Sequence, residues 1–225
     1  MPRVGRIAPG GVIYHVVNRG NGRKALFHKD GDYAAFIKLL AEVKETTPVR
    51  ILAYCLMGNH WHLVLWPRED GELSKFMLRL TTAHVRRYYA HYRQAGGGHL
   101  YQGRFKNFPI EEDRHLLTVL RYVEANALRA KRVDRAEQWP WGSLHARQNG
   151  QGTDLLDDWP VQRPRNWTEI VNAAAKPDEL AAVRTSILRG RPYGSPAWVQ
   201  QTVERLGLQF TLRSRGRPAR KKEEK

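Results

Sequence analysis

The chain has 225 residues, of which 38 are Lys or Arg and 22 are Asp or Glu, so its formal net charge at pH 7 is +16. Hydrophobic residues make up 41% of the chain, which excludes a disordered or collagen-like protein and predicts a packed core. The charge argues against an enzyme for small neutral metabolites, and it indicates nucleic acid first and an acidic protein second as the partner.

The predicted elements alternate between strands and helices. β-branched and aromatic residues predict the strands, and apolar residues at helical spacing predict the helices. In chain order these are a strand over 12–18, a helix over 30–46, strands over 50–57 and 60–66, a helix over 73–93, a strand or extended segment over 99–110 and a helix over 112–129. The Gly58-Asn59 pair between the second and third strands is typical of a two-residue hairpin.

This order of elements predicts an α+β fold with an antiparallel sheet, packed helices and a helical C-terminal extension. We expect one domain over 1–147 and then a linker and helical extension over 148–212, because residues 148–158 are rich in Gly, Asp and Gln. Residues 213–225 contain seven Lys or Arg and no large apolar side chain, which predicts a disordered basic tail.

Three features bear on the compartment. The longest apolar run, 51–57, is far shorter than the roughly 18 residues of a membrane span. The N-terminal residues contain no signal-peptide core. A single cysteine, Cys55, excludes an internal disulfide and a cysteine-based zinc site. We therefore expect a cytoplasmic protein without a membrane partner.

A His-x-His pair in the third predicted strand is a candidate metal site. His60 and His62 point to one face of the strand, because side chains alternate, and two adjacent imidazoles can chelate a divalent cation. The alternative is a chance pair, since the chain has nine His. His15, on the first predicted strand, is interpreted as a structural histidine and left outside the site.

The last predicted helix offers a nucleophile. Tyr122 and Asn126 are four residues apart, so they share a helix face that is offset from the apolar stripe. They are candidates for the other half of the site. The alternative is that Tyr122 is a half-buried packing residue and Asn126 lies near the helix end.

Basic side chains cluster in two places that indicate contact with DNA phosphates. The alternative for each of them is a solvated basic surface. The candidates are Arg79, Arg86, Arg87 and Arg93 on the helix over 73–93, and Arg104 and Lys106 on the segment over 99–110.

Several motifs in order resemble the REP-associated tyrosine transposases, bacterial relatives of the single-tyrosine HUH transposases. The resemblance is close over roughly residues 1–145. The motifs are YHVVNRG at 14–20, GNHWHLVL at 58–65, GHLYQGRFKN at 98–107, RYVEANALRA at 121–130 and WPWGS at 139–143.

This resemblance implies a ferredoxin-like HUH fold and a specific chemistry. His60, His62 and Asn126 correspond to ligands of Mg²⁺ or Mn²⁺, and Tyr122 corresponds to the nucleophile that forms a 5′-phosphotyrosine. The implied substrate is single-stranded hairpin DNA of the REP type, and the implied state is a monomer, with a dimer as the alternative. The resemblance also places Arg104 and Lys106 beside the site.

Two other functions stay open at this point. A non-catalytic DNA-binding protein on the same fold would explain the charge but would not need the His60, His62, Tyr122 and Asn126 set. A metal-dependent hydrolase would use the histidine pair and a water molecule, but no carboxylate ligand lies near the motif in the sequence.

Overall fold

Four antiparallel strands form the central sheet of the computed structural model, which describes residues 8–93, 98–150 and 154–213. The strands are β1 (Ile13–Arg19), β2 (Arg50–Met57), β3 (His60–Trp66) and β4 (Lys106–Ile110). Their order across the sheet is β2-β3-β1-β4. The predicted α+β class with an antiparallel sheet is confirmed.

The helices of the described residues follow the predicted order along the first part of the chain. They are α1 (Asp30–Thr46), α2 (Glu72–Tyr92), α3 (Arg114–Glu124), α4 (Asn126–Arg129), α5 (Ser143–Gln148), α6 (Trp167–Asn172), α7 (Pro177–Arg189) and α8 (Pro196–Arg205). No helix in the described ranges is long and apolar enough to cross a membrane.

The helix predicted over 112–129 differs from the structure at its start and in its middle. It begins at Arg114, because the side chain of Asp113 caps it by accepting from the backbone N–H of His115 at 2.7 Å. It is interrupted at Ala125, where α3 ends and α4 begins. Glu111, next to the predicted helix start, instead accepts from the Ser195 backbone N–H.

The two faces of the sheet are covered by different helices. Trp61, Leu63 and Leu65 of β3 belong to a core that includes side chains of α1 and α2. Val64, the residue between two of them, belongs to a second core with side chains of α3 and α6. We name these the Trp61 face and the His62 face, since alternation puts His62 on the side of Val64.

The hairpin between β2 and β3 holds one end of the sheet in place. Met57 pairs with His60, so Gly58 and Asn59 form a two-residue connection, as the sequence predicts. The Gly58 carbonyl accepts from the backbone N–H groups of Leu26 and Phe27 at 2.7 and 3.1 Å. The hairpin therefore fixes the end of β3 at which His60 lies.

The described part of the predicted linker packs against the sheet. Leu155 and Leu156 are buried, and the Asp157 carboxylate accepts from the Ile51 backbone N–H at 2.8 Å and pairs with Lys44 at 2.7 Å. Composition alone does not reveal these contacts. The domain boundaries stay a prediction, and residues 151–153 and 214–225, which include nearly all of the predicted basic tail, lie outside the described residues.

Candidate metal and nucleophile site

The His60 and His62 side chains lie together at the hairpin end of β3. His60 pairs with Arg19 of β1, and His62 pairs with Val17. Their ring centroids are 5.2 Å apart. His62 is buried, and His60 is half-buried. The strand therefore presents both imidazoles on one face, as alternation predicts.

Both histidines are held in the neutral form. Burial, together with the nearby charge of Arg19, lowers the pKa of His60 to about 4, and the hydrogen bond between His60 and Asn126 acts in the opposite direction. Burial also lowers the pKa of His62 well below its usual value, and so do the charges of the neighbouring basic groups. A neutral imidazole keeps the lone pair that a metal ion needs.

One ring nitrogen of each histidine is already occupied by a neighbour. Nδ1 of His60 lies 2.7 Å from Oδ1 of Asn59, and Nδ1 of His62 lies 2.8 Å from Nε2 of His15. The side chain of Asn126 hydrogen-bonds His60. Two imidazoles and one amide side chain in contact with each other form a donor set that fits a divalent cation.

Tyr122 lies against this histidine pair. Its ring centroid is 6.0 Å from that of His62 and 6.5 Å from that of His15. The guanidinium carbon of Arg129 is 4.0 Å from the centroid of the Tyr122 ring, and the same guanidinium donates to the Tyr122 carbonyl at 2.7 Å. The structure thus brings the four residues singled out in the sequence, His60, His62, Tyr122 and Asn126, to one place.

Three residues at this site were not selected from the sequence. His15 was interpreted as a structural histidine, yet it hydrogen-bonds His62. Arg19 lies opposite His60 in the register of β1 and β3, and Arg129 stacks on Tyr122. The spacing of Arg129 was a usable signal, because seven residues are about two turns of the continuous helix that the sequence predicts here. Strand register, which pairs β1 with β3, supplies the other two.

Tyr122 also borders a cavity of about 430 Å³ between α3, α4 and the C-terminal helices. Apolar side chains form much of its wall, and Arg121 and Arg129 add charge. The lining residues are Thr118, Arg121, Tyr122, Ala125, Leu128, Arg129, Val171, Asn172, Ala173, Ala174, Ala175, Glu179, Leu180 and Val183. The C-terminal extension therefore helps to form the surroundings of Tyr122.

The basic residues predicted to bind DNA fall into two groups. Helix α2 packs on the Trp61 face, away from the histidine pair. One guanidinium nitrogen of Arg79 donates to the Thr46 carbonyl at 2.8 Å, and Arg87 pairs with Glu42. Arg86 and Arg93 are exposed on or next to the same helix. The structure does not bring these four arginines to the site.

Lys106 and Arg104 are closer to the histidines in the sheet. Lys106 pairs with Val17 of β1, which in turn pairs with His62 of β3. Lys106 thus lies two strands from His62, about 10 Å away at the usual strand spacing. Arg104 precedes β4, and both side chains are exposed.

A second group of ligating atoms lies at the opposite end of the sheet. Glu111, Asp113 and His115 offer ligand atoms within 4.8 Å of one another. Glu111 follows Ile110, which pairs with Ile13, so it is about 20 Å from the His60 end of β1 at 3.3 Å per residue. Its carboxylate accepts from Ser195, and Asp113 caps α3. This group stabilises the junction with the extension and does not contribute to the predicted site.

Comparison with known proteins identifies the family. A solved structure of the REP-associated tyrosine transposase bound to a REP hairpin is 21% identical, with a TM-score of 0.54, and the match covers 73% of this chain and 99% of that chain. No curated protein matches the chain. The model of the IS200-like transposases matches residues 10–126, more than half of the chain, and this span contains His60, His62, Tyr122 and Asn126. The chain therefore belongs to the IS200-like transposase family.

Proposed function

We propose that this protein is a metal-dependent DNA endonuclease and strand transferase that cleaves single-stranded hairpin DNA. The observation that carries the proposal is the position of the Tyr122 ring, 6.0 Å from the His62 ring and next to the only His-x-His pair of the chain. A protein that only bound DNA would not need a tyrosine beside two neutral imidazoles.

In the proposed reaction, the Tyr122 hydroxyl oxygen attacks the scissile phosphorus. The bond from phosphorus to the 3′ oxygen breaks, which leaves a 5′-phosphotyrosine and a free 3′-hydroxyl. The phenol loses one proton and the leaving oxygen gains one, so the charge balances. Because the phosphotyrosine conserves the phosphodiester bond energy, a later attack by a 3′-hydroxyl rejoins the strand without a nucleotide triphosphate.

The residues of the site have separate tasks in this reaction. His60, His62 and Asn126 would hold Mg²⁺ or Mn²⁺, and such an ion polarises the scissile phosphate and stabilises the charge that develops on it. Imidazole ligands favour Mn²⁺ over Mg²⁺. Arg129 holds the Tyr122 ring and its carbonyl, which limits the positions of the nucleophile.

The proposed substrate follows from the charge and from a relative. The solved REP-associated tyrosine transposase is bound to a REP hairpin, and its fold resembles this chain. We propose a hairpin of the same type, with Lys106 and Arg104 contacting the strand near the site. Arg79, Arg86, Arg87 and Arg93 would reach only DNA that wraps to the Trp61 face.

The test is formation of a covalent adduct. The full-length protein is mixed with labelled hairpin oligonucleotides, designed from repeated palindromes in the source genome, in Mn²⁺ or Mg²⁺. We expect an adduct that resists denaturation, disappears in Tyr122→Phe and requires the metal. Tight binding of the hairpin without any adduct would instead support the non-catalytic DNA-binding protein. Cleavage that persists in Tyr122→Phe would support a hydrolase that uses water.

A further inference from the structure

His15 occupies a position that the proposed reaction leaves without a task. It lies on β1, is fully buried, and its Nε2 is 2.8 Å from Nδ1 of His62. Its ring stacks on Phe108, with centroids 4.9 Å apart, and meets Tyr122 edge-on. The packing fixes the orientation of the His15 ring, so its Nε2 is held facing Nδ1 of His62.

Only one placement of the protons makes His62 a metal ligand. A hydrogen bond between two ring nitrogens contains a single proton, and each neutral ring carries one. If Nε2 of His15 donates, the proton of His62 is on its own Nε2, and no lone pair points to the cation. If Nδ1 of His62 donates, its Nε2 keeps the lone pair.

We propose that His15 is a positioning residue that accepts the Nδ1 proton of His62 and thereby presents His62 Nε2 to a divalent cation. This assignment rests on the proposed function in one respect, namely that His62 is a metal ligand. His60 has a matching arrangement, because Oδ1 of Asn59 accepts from its Nδ1 at 2.7 Å. Each of the two histidines is thus oriented by a neighbour at its Nδ1.

The unpaired nitrogen of His15 supports a functional role. In the proposed arrangement the proton of His15 is on Nδ1, which is buried and has no hydrogen-bond partner in the structure as described. A buried donor without a partner is unfavourable for folding. The buried His84 on the Trp61 face differs, since its Nδ1 bonds the Tyr101 hydroxyl at 2.6 Å. The unpaired Nδ1 of His15 is therefore better explained by a role in orienting His62 than by a role in stability.

The first test reads the tautomer directly in the metal-free, full-length protein. Long-range ¹H–¹⁵N NMR on ¹⁵N-histidine-labelled protein distinguishes protonated Nδ1 from protonated Nε2, and loss of signals in His62→Ala assigns His62. We expect the Nδ1–H form for His62. A wild-type His62 that carries its proton on Nε2 would overturn the proposal without the need for any His15 variant.

The second test compares His15 variants by Mn²⁺ titration calorimetry. We expect His15→Phe to bind Mn²⁺ about 10-fold to 100-fold more weakly, the usual effect of losing a group that orients a metal ligand. His15→Gln should recover part of the affinity, because its side-chain oxygen can accept near the position of Nε2. His84→Asn, a buried histidine on the opposite face, is the matched control and should bind as wild type.

The outcomes separate this proposal from the proposed function. Wild-type affinity and an unchanged His62 tautomer in a folded His15→Phe variant would overturn the role of His15 alone. Mn²⁺ affinity that is the same in wild type and His62→Ala would contradict the metal site and, with it, the proposed function. The tautomer of metal-free His62 reports on His15 in either case.

Discussion

The two faces of the sheet both contain buried histidine, and they treat it differently. On the Trp61 face, the Tyr101 hydroxyl lies 2.6 Å from His84 Nδ1 and accepts from the Trp61 indole at 3.1 Å. On the His62 face, three histidine rings follow one another at 5.0 and 5.2 Å, and Nδ1 of His15 has no partner in the described structure. The buried histidine of the Trp61 face is thus paired, whereas the His62 face leaves a buried histidine nitrogen without a partner, which is unusual for a face that only packs.

The helices that cover the two faces also differ in how many buried polar contacts hold them. Helices α1 and α2 cover the Trp61 face with apolar side chains. On the His62 face, α3 is held by its residue Glu124. The buried Glu124 carboxylate accepts from the Ser143 hydroxyl and from the Trp167 indole N–H at 2.6 Å each. Burial raises the pKa of that carboxyl. The extension thus anchors the helix that carries Tyr122, although the family match ends at Asn126.

The largest expected effect is that of a substitution at His62, which should lower DNA cleavage strongly and change the free energy of unfolding only slightly. In His62→Ala we expect DNA cleavage to fall about 1,000-fold, because a divalent cation held by His62 would supply several kcal/mol of transition-state stabilisation. The free energy of unfolding should change by only about 1 kcal/mol. Single-turnover cleavage and urea unfolding measure the two quantities. Cleavage within a factor of ten of wild type would mean that the His62 face is only a packing face.

The opposite pattern is expected for Trp61, the neighbour of His62 in the sequence. Its side chain is fully buried, so Trp61→Ala should lower the free energy of unfolding by about 3–5 kcal/mol. Trp198→Ala is the control, because Trp198 is half-buried on α8 and should cost less. Urea unfolding followed by circular dichroism gives both values. Equal losses in the two variants would show that the full burial of Trp61 adds no stability beyond the half-burial of Trp198.

Local pattern predicted the elements better than it predicted the site. The bounds of α1, β2 and β3 agree with the prediction, because periodicity is a property of neighbouring residues. The start of α3 does not. Asp113 caps the helix through a local contact, whereas Glu111 is held outside it by Ser195. Such a contact joins residues 84 positions apart and leaves no local signal.

The same distinction applies to the site residues. Alternation along one strand places His60 and His62 together. Helical spacing predicts Tyr122 beside Asn126, although the structure divides this segment into α3 and α4. The contact of His15 with His62 depends on the register of β1 against β3, which no periodicity encodes. The basic stripe of α2 is visible in the sequence, but the side of the sheet on which α2 packs is set by the tertiary fold.

Acid should lower the free energy of unfolding through His84 on the Trp61 face, by less than Trp61→Ala does. Burial lowers the pKa of His84 to about 4, so the unfolded chain binds a proton below pH 6.5 that the folded chain does not. Stability from this group is complete above pH 7 and falls by up to about 3 kcal/mol as the pH drops towards 4. His84→Asn keeps an acceptor near Nδ1 and does not titrate.

The measurement is the free energy of unfolding from urea titrations at several pH values between 4 and 8. The slope against pH should become shallower in His84→Asn but should not vanish, because burial also lowers the pKa of His15 to about 3. An unchanged slope would show that His84 is protonated in the folded chain or stays solvated, in conflict with its paired position on the Trp61 face.

The smallest effect concerns which basic residues contact the strand. Lys106 lies two strands from His62. Arg79 lies on the other side of the sheet, and its guanidinium donates a hydrogen bond to the Thr46 carbonyl. We expect Lys106→Gln to weaken hairpin binding less than about 10-fold and to reduce the salt slope by about 0.7, the contribution of one phosphate contact to a single strand. Arg79→Gln should leave both unchanged. Fluorescence anisotropy at several salt concentrations measures affinity and slope together. A larger loss in Arg79→Gln than in Lys106→Gln would place the DNA on the Trp61 face, and the His62 face would then have to receive a strand that passes around the edge of the sheet.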